Sequence, residues 1–484
     1  MSLTVLALPQ VVQADDPKVR DPRAEGGMLA WPQDEMSRAL GIYVPNRMKQ
    51  FDVPGVAIAI VADGKIVYAG TFGKADKSAA IPVTPSTLFE AGALGQSVVA
   101  FGALRMADDK LLFLDAPLSR DLNEPWLSDD EDNAAITLRH VLTHTSGLGD
   151  NVAHPSRSSD FSPGSAFSHS GIGFLYLQHV MEVVGNASFE QLMQSLVFQP
   201  LGLTQSHFLP QPDEQLAQGY VPLHFLLLVL CLPFALAFLA MLAAFWAISW
   251  FMFQRRLEGA DFLWPLLGAG FFASAIVWWG FGFATAAFVV GVTLLCVLVI
   301  ALLAGFAYYL LYIAGLARAR EGIITRGGGA KESLIVVLAG VIALGGFYPA
   351  LNWSIPVLRL SHLRSDPVSD AAASFRTTAP DMGRFMIALL EREKLSRDMS
   401  LRLFADPVPA GDDLYWSLVA GMRRDRTQET QWARGSVMGF ESLMVMDVKR
   451  RAGVVVLTNS RSGAELAQDI ARNVLGVEAV WSLP

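Results

Sequence analysis

The stretch VPGVAIAIVADGKIVYAGTFGKAD, residues 53–76, decides the fold. Small and branched apolar residues run from Val56 to Val61, the turn residues Ala62-Asp63-Gly64-Lys65 follow, and Ile66 to Tyr68 resume the apolar pattern. Two such runs around an Asp-Gly turn predict a β-hairpin. A lone hairpin is marginal in water, so it needs more strands and a helical layer. The partners lie far along the chain. SLMVMDVKRRAGVVVLTNS, residues 442–460, reads as two strands around a turn, and AELAQDIARNVLG, residues 464–476, as a helix with an apolar face.

Other helices fall between these strands. Residues 94–106 can form a helix with an apolar face, and ITLRHVLTHTSGLGD, residues 136–150, reads as a helix stopped by Gly147. Helical patterns recur at 174–184 and 189–198. APDMGRFMIALLER, residues 379–392, adds another, with Asp381 in its first turn, where the helix dipole favours a carboxylate. The first polar half supplies the hairpin and most helices, and the second supplies the strands that complete the sheet. Neither half alone makes a closed α+β domain.

The composition changes between the halves. Of 484 residues, 52% are apolar and only 17% charged, and the excess is local. Residues 223–254 carry no charge except a protonated His224, and at about 1.5 Å per residue they can cross a hydrocarbon layer of about 30 Å. Residues 262–317 are uncharged and divide near GFGFAT into two helices, and a fourth apolar segment starts at Ser333. The expectation is four transmembrane helices at about 223–250, 262–282, 285–315 and 333–352. Arg255 and Arg256 mark the first connection as cytoplasmic, and Arg318, Arg320, Arg326 and Lys331 mark the third. Both polar halves then lie on the extracytoplasmic side. No Asp, Glu, Lys or Arg sits inside a span, so anchoring is favoured over ion-coupled transport.

The domain plan is therefore a shortened signal peptide at 1–14, a first part at 15–222, a membrane insertion at 223–357 and a second part at 358–484. Val12-Gln13-Ala14 supplies the small-residue cleavage pattern, without a basic start before it; an ordinary disordered N-terminus is the alternative. The net charge of -8, with no basic stripe, argues against nucleic acid as a partner. Cys231 and Cys296 both lie in apolar runs, so the polar parts hold no disulfide and no cysteine metal site. No cofactor is expected.

Several blocks in order resemble the penicillin-binding and class C β-lactamase-like serine hydrolases: residues 53–76, TPSTLFEAGALGQS, ITLRHVLTHTSGL, the FSPGSAFSHSGIGF stretch through QPLGL, ASFRTTAPDMGRFMIALL and GFESLMVMDVKRRAGVVVLTNS. The resemblance spans about 53–460 and leaves out the insertion. It implies an α+β β-lactamase/transpeptidase-like fold, an antiparallel sheet with helices on both sides, interrupted by the four-helix membrane unit.

The resemblance also implies where catalytic groups would stand. The family's serine and the lysine three residues later fall on Ala93 and Gln96. A methyl group is no nucleophile and a carboxamide no base. The tyrosine and asparagine of the second motif fall on His169 and Gly171, and the Lys/His-x-Gly strand motif places Ala433 and Gly435. Backbone survives these changes, and the resemblance assigns an oxyanion pair to the amides of Ala93 and Ser436. His140 and His144, four apart, have metal-like spacing on one helical face, but without the accompanying Glu they read as packing or capping residues, and no metal is expected. Ser146 reads as a turn residue and Asp150 as a loop carboxylate.

The expectation is a membrane-anchored, non-catalytic binding or scaffolding domain of the cell envelope, with a cell-wall peptide or envelope protein as partner beside the lipid bilayer. The rival is an esterase, amidase or D-Ala peptidase that uses a relocated set near His169 with a serine from elsewhere. A transport or sensing component, in which the soluble domain reports to the helices, is a third class.

Overall fold

The computed structural model describes residues 22–23, 25–150, 157–212, 214–222, 354–356, 369–424 and 428–482. The signal-like start and all four expected spans lie outside these residues. Among the described residues, no helix is long and apolar enough to cross a membrane. The chain divides into two compact units, one comprising Met1–Val221 with Pro356–Pro484 and the other Pro222–Ile355. Described residues of both polar segments fall in the first of these units.

In chain order the strands are β1 (Gly55–Ala62), β2 (Lys65–Asp76), β3 (Ile81–Pro82), β4 (Phe89–Glu90), β5 (Tyr220–Pro222), β6 (Ser354–Pro356), β7 (Arg376–Thr377), β8 (Val408–Gly411), β9 (Leu414–Trp416), β10 (Gly421–Arg424), β11 (Glu429–Val437), β12 (Phe440–Asp447) and β13 (Ala452–Thr458). Nine of them form one sheet in the order β3-β2-β1-β13-β12-β11-β10-β9-β8. The expected hairpin is β1–β2, turning at Asp63 (φ 48°) and Gly64 (φ 70°). Its other edge pairs with β13, from Val56 opposite Thr458 to Ala62 opposite Ala452, so strands from both polar segments meet at mid-sheet.

Both faces of the sheet are covered. Along β1, Val56, Ile58 and Ile60 join a core with helices α1 (Gln33–Phe51) and α10 (Gly463–Leu475), while Ala57, Ala59 and Val61 join the larger core on the opposite face. Each fully buried Val or Ile contributes about 1.5–3 kcal/mol of transfer free energy, which fixes the register because a one-residue slip would exchange the two faces. The opposite layer contains α2 (Leu94–Asp108), α4 (Leu138–Leu142), α5 (Gly171–Gly185), α6 (Phe189–Met193), α7 (Gln199–Leu201), α8 (Ala379–Glu391) and α9 (Arg397–Arg402), while the short α3 (Glu131–Ala134) contributes no side chain to this core. On α8, Asp381 is buried and accepts hydrogen bonds from Ser206 Oγ and the Gln205 amide, contacts beyond the expected dipole effect.

One expected helix is shorter than its sequence pattern. Residues 136–150 give only α4, which ends at Leu142. The Thr143 hydroxyl turns back to the Arg139 carbonyl (2.8 Å), and His144 takes a left-handed conformation (φ 54°). His140 and His144 therefore do not share a helical face, and the metal-like spacing has no structural counterpart. His140 instead closes a capping box with Thr137.

A buried charge cluster joins the two polar segments. Arg376 of β7 contacts Glu90 of β4 (3.1 Å) and Glu214, whose other oxygen accepts from His207 Nε2 (2.8 Å). Burial opposes the charge on Glu214, but His207 and Arg376 outweigh it and hold the carboxyl below its ordinary value.

Candidate functional site

The start of α2 is built by close backbone packing. The Ala91 amide donates to the Phe375 carbonyl (2.8 Å), and the Ser442 hydroxyl donates to the Ala91 carbonyl (2.9 Å). Gly92 then turns with φ 55°, and Ala93 stands at the N-cap without a side-chain capping bond. The first amides of a helix have no intrahelical acceptor, and alanine supplies none. The amides of Leu94, Gly95 and Gln96 are taken up within the turn by the carbonyls of Ala91, Gly92 and Ala93, and the Ala93 amide has no acceptor among the described residues. Gly435 on β11 lies against this turn, where a side chain would collide with the Ala91 carbonyl oxygen.

Ser436 follows on the same strand. The two-residue turn Met438-Gly439 is closed by Val437 opposite Phe440, so ladder bonds alternate onto Val437 and Gly435 and leave the Ser436 amide facing away from β12. A Cβ placed on Gly92 would lie 3.5 Å from the Ser436 nitrogen, which puts that amide beside the turn into α2.

A cleft of about 390 Å³ opens here, bordered by Ala93, Gln96, His169, Gly171, Arg434 and Ser436. Asp150, Trp416 and Trp432 border it too. Beneath it lies a void of about 20 Å³, room for one water molecule, bordered by Gln96, Ser97, His144 and Ala433. The structure thus gathers Ala93, Gln96, His169, Gly171 and Ser436 at one cleft, sets Ala433 in the void below, and uses Gly435 for packing. The Gln96 carboxamide donates to the Ala372 carbonyl (3.3 Å), from a loop that begins the second segment.

The electrostatics favour a ligand with hydrogen-bond acceptors. Arg434 contacts Glu441 Oε2 (3.1 Å), and Arg461 contacts Glu441 Oε1 (2.7 Å) and the Ser436 hydroxyl. Two guanidinium groups thus share one buried carboxylate at the rim. The Ser436 hydroxyl itself donates to Glu441 (2.8 Å). His144 is 1% exposed, and burial, followed by His169, pushes it well below its ordinary value of 6.5. Its Nδ1 accepts from the Ser170 amide (3.2 Å), so Nε2 carries the proton, and that N–H has no acceptor among the described residues. Trp432 Nε1 is buried with no acceptor either.

His169 and Ser170 point apart, as alternation on an extended segment requires. Ser170 is buried and caps α5 through Gly173, while His169 borders the cleft and its Nδ1–H donates to Asp150 Oδ1 (3.1 Å). Asp150 Oδ1 also accepts from the Gly171 amide (2.8 Å). Burial raises the Asp150 carboxyl, but these bonds outweigh it and leave the carboxyl below its ordinary value. Ser146 accepts from the Leu148 amide in a turn. Among the described residues, no serine or threonine hydroxyl is hydrogen-bonded to a ring nitrogen of His169.

The structure resembles that of the D-alanine carboxypeptidase AmpC from Burkholderia cenocepacia, with a TM-score of 0.56 at 17% identity over 92% of this chain and 99% of that one. The fold is that of the β-lactamase/transpeptidase-like family. The model of the Beta-lactamase family matches residues 43–224. Esterase EstB of Burkholderia gladioli is 32% identical over 196 residues, 34% of this chain and 50% of that protein. A Beta-lactamase of Escherichia coli (strain K12) is 31% identical over 198 residues, 36% of this chain and 49% of that protein. The chain therefore spans about half the length of the curated relatives it matches. Within this β-lactamase/transpeptidase-like fold, the cleft lies between β11 and the start of α2.

Proposed function

We propose that the cleft binds an acyl or peptide ligand non-covalently and that this domain has lost the route through an acyl-enzyme. The carrying observation is a site rich in hydrogen-bond donors that holds no activated nucleophile. Around it stand the amides of Ala93 and Ser436 and the Arg434 guanidinium. A ligand carbonyl or carboxylate would accept hydrogen bonds from these groups. The methyl of Ala93 cannot attack, and the Gln96 carboxamide, hydrogen-bonded to Ala372, cannot accept a hydroxyl proton. The activities named for the relatives, an esterase, a β-lactamase and a D-alanine carboxypeptidase, make a ligand with an acyl carbonyl the natural class. The uncharged runs within residues 223–357 support anchoring at a membrane, with a cell-wall peptide or an envelope protein as the partner.

Intact-protein mass spectrometry of the full chain in detergent, after exposure to a penicillin and separately to a fluorophosphonate, tests this reading. Folded protein without an adduct is expected. A stoichiometric adduct at a mapped serine would replace the reading with a serine hydrolase.

A further inference from the structure

Losing the acyl-enzyme route does not remove every route to hydrolysis. Asp150 and His169 form a pair whose geometry differs from a structural tie. The Asp150 carboxylate takes the Nδ1 proton of His169 at 3.1 Å and is itself held by the Gly171 amide at 2.8 Å, at the start of α5. With Nδ1 as donor, the free lone pair of a neutral His169 is on Nε2. The ring is further located by His144, whose centroid is 4.5 Å away with the planes tilted by 32°. His144 is in turn fixed by the Ser170 amide. His169 thus borders, with an oriented ring, the same cleft as Ala93 and Ser436.

We propose that the Asp150–His169 pair activates water for direct attack on a carboxylic ester held in the cleft, without a covalent intermediate. The substrate class is a short acyl ester of an acidic alcohol, small enough for about 390 Å³. His169 Nε2 takes one proton from water as the water oxygen bonds to the carbonyl carbon. The carbonyl π electrons move to oxygen, which the two amides stabilise. When the tetrahedral species collapses, the bond to the alkoxy oxygen breaks, the imidazolium returns its proton to that oxygen, and acid and alcohol leave. His169 is the catalytic residue in this scheme. Asp150 is a positioning residue that fixes the tautomer and steadies the imidazolium. The inference rests on the reading that the cleft admits an acyl ligand.

The test uses the full chain in detergent, with 4-nitrophenyl acetate as substrate and 4-nitrophenyl methylphosphonate as an inert tetrahedral anion whose binding is read by calorimetry. The expected result is linear nitrophenol release without a burst, no change in protein mass during turnover, and suppression by the phosphonate. H169Q should lower the rate about 100-fold or more while phosphonate binding stays within a few-fold. D150N should lower kcat more than it raises KM and should displace the pH profile. H179Q, outside the cleft, controls for hydrolysis by any exposed imidazole. An acyl adduct, or a rate indifferent to H169Q, overturns the inference. Phosphonate binding without turnover also overturns it but leaves the binding reading standing. Neither binding nor turnover overturns both.

Discussion

Gly435 and Ala91 are in backbone contact: a Cβ built on Gly435 would lie 1.7 Å from the Ala91 carbonyl oxygen. Rotamer adjustment cannot relieve a clash with a carbonyl, so strand β11 and the turn into α2 must separate. G435A should therefore destabilise the domain by about 1–3 kcal/mol, the usual penalty for overpacking. Thermal unfolding should show a Tm lower by several degrees, together with weaker ligand binding at the cleft. An unchanged Tm would mean that the two segments are not packed this closely.

Ala93 tests the chemistry of the same turn. A93S restores a hydroxyl at the start of α2, where the helical backbone of residue 93 (φ -62°, ψ -10°) and the bonded Gly95 and Gln96 amides give it no capping role. With Gln96 still in place the hydroxyl has no base, so little acylation is expected. The variant should melt near the temperature of the parent and show no penicillin adduct in its intact mass. Rapid adduct formation would place a base near Ala93 that the packing does not reveal.

His144 predicts an acid weakness. Its folded value lies well below its ordinary 6.5, so below about pH 6.5 the unfolded chain binds a proton that the folded chain refuses. Stability is then complete above that range and falls as the medium is acidified, with a limiting slope of about 1.4 kcal/mol per pH unit from this one group. Asparagine tolerates the left-handed backbone at this position, so H144N is the suitable comparison. Melting curves between pH 5 and 7.5 should show a flatter dependence for H144N than for the parent.

Arg376 sits between Glu90 and Glu214, so R376M leaves two carboxylates facing each other in a largely buried place. Breaking a buried ion pair by removing one partner costs about 3–5 kcal/mol. The loss should shrink as acid neutralises the glutamates, and melting at pH 7 against pH 4.5 reads that difference. Equal losses at both values would show that packing, not charge, makes the contact.

The proposed membrane arrangement is open to reporter fusions. Reporters placed after Gly259 and Gly328 should give a cytoplasmic signal, and one after Pro484 an extracytoplasmic signal. The reverse pattern would overturn the anchoring topology drawn from Arg255, Arg318 and their neighbours.

The hairpin of β1 and β2, strands β12 and β13 and helix α10 are legible because each is specified locally, by an apolar period and a turn residue. The end of α4 is less so. Apolar spacing continues through residues 141–148, but the Thr143 hydroxyl and the left-handed His144 stop the helix before Gly147. The cleft was only partly legible. Ala93, His169 and Ser436 come from blocks with recognisable surroundings, whereas Asp150, Trp416, Trp432 and Arg434 reach it through turns and strand pairings far apart in sequence. Arg434 carried one usable signal. It is a charged residue inside a strand pattern, and hairpin register sets its side chain on the face that also carries Glu441.

The pairing of β1 with β13 also sets a schedule. Val56 must wait for Thr458, roughly 400 residues later, before the middle of the sheet can close. At about 5–20 residues per second the ribosome needs about 20–80 s to supply the missing strand. Throughout that interval an apolar strand edge stands open, and such edges invite pairing with other chains. The nascent first segment is thus the stage at which this protein most needs a holding partner, and a mutation that lengthens the pause would be felt as aggregation before it is felt as lost binding.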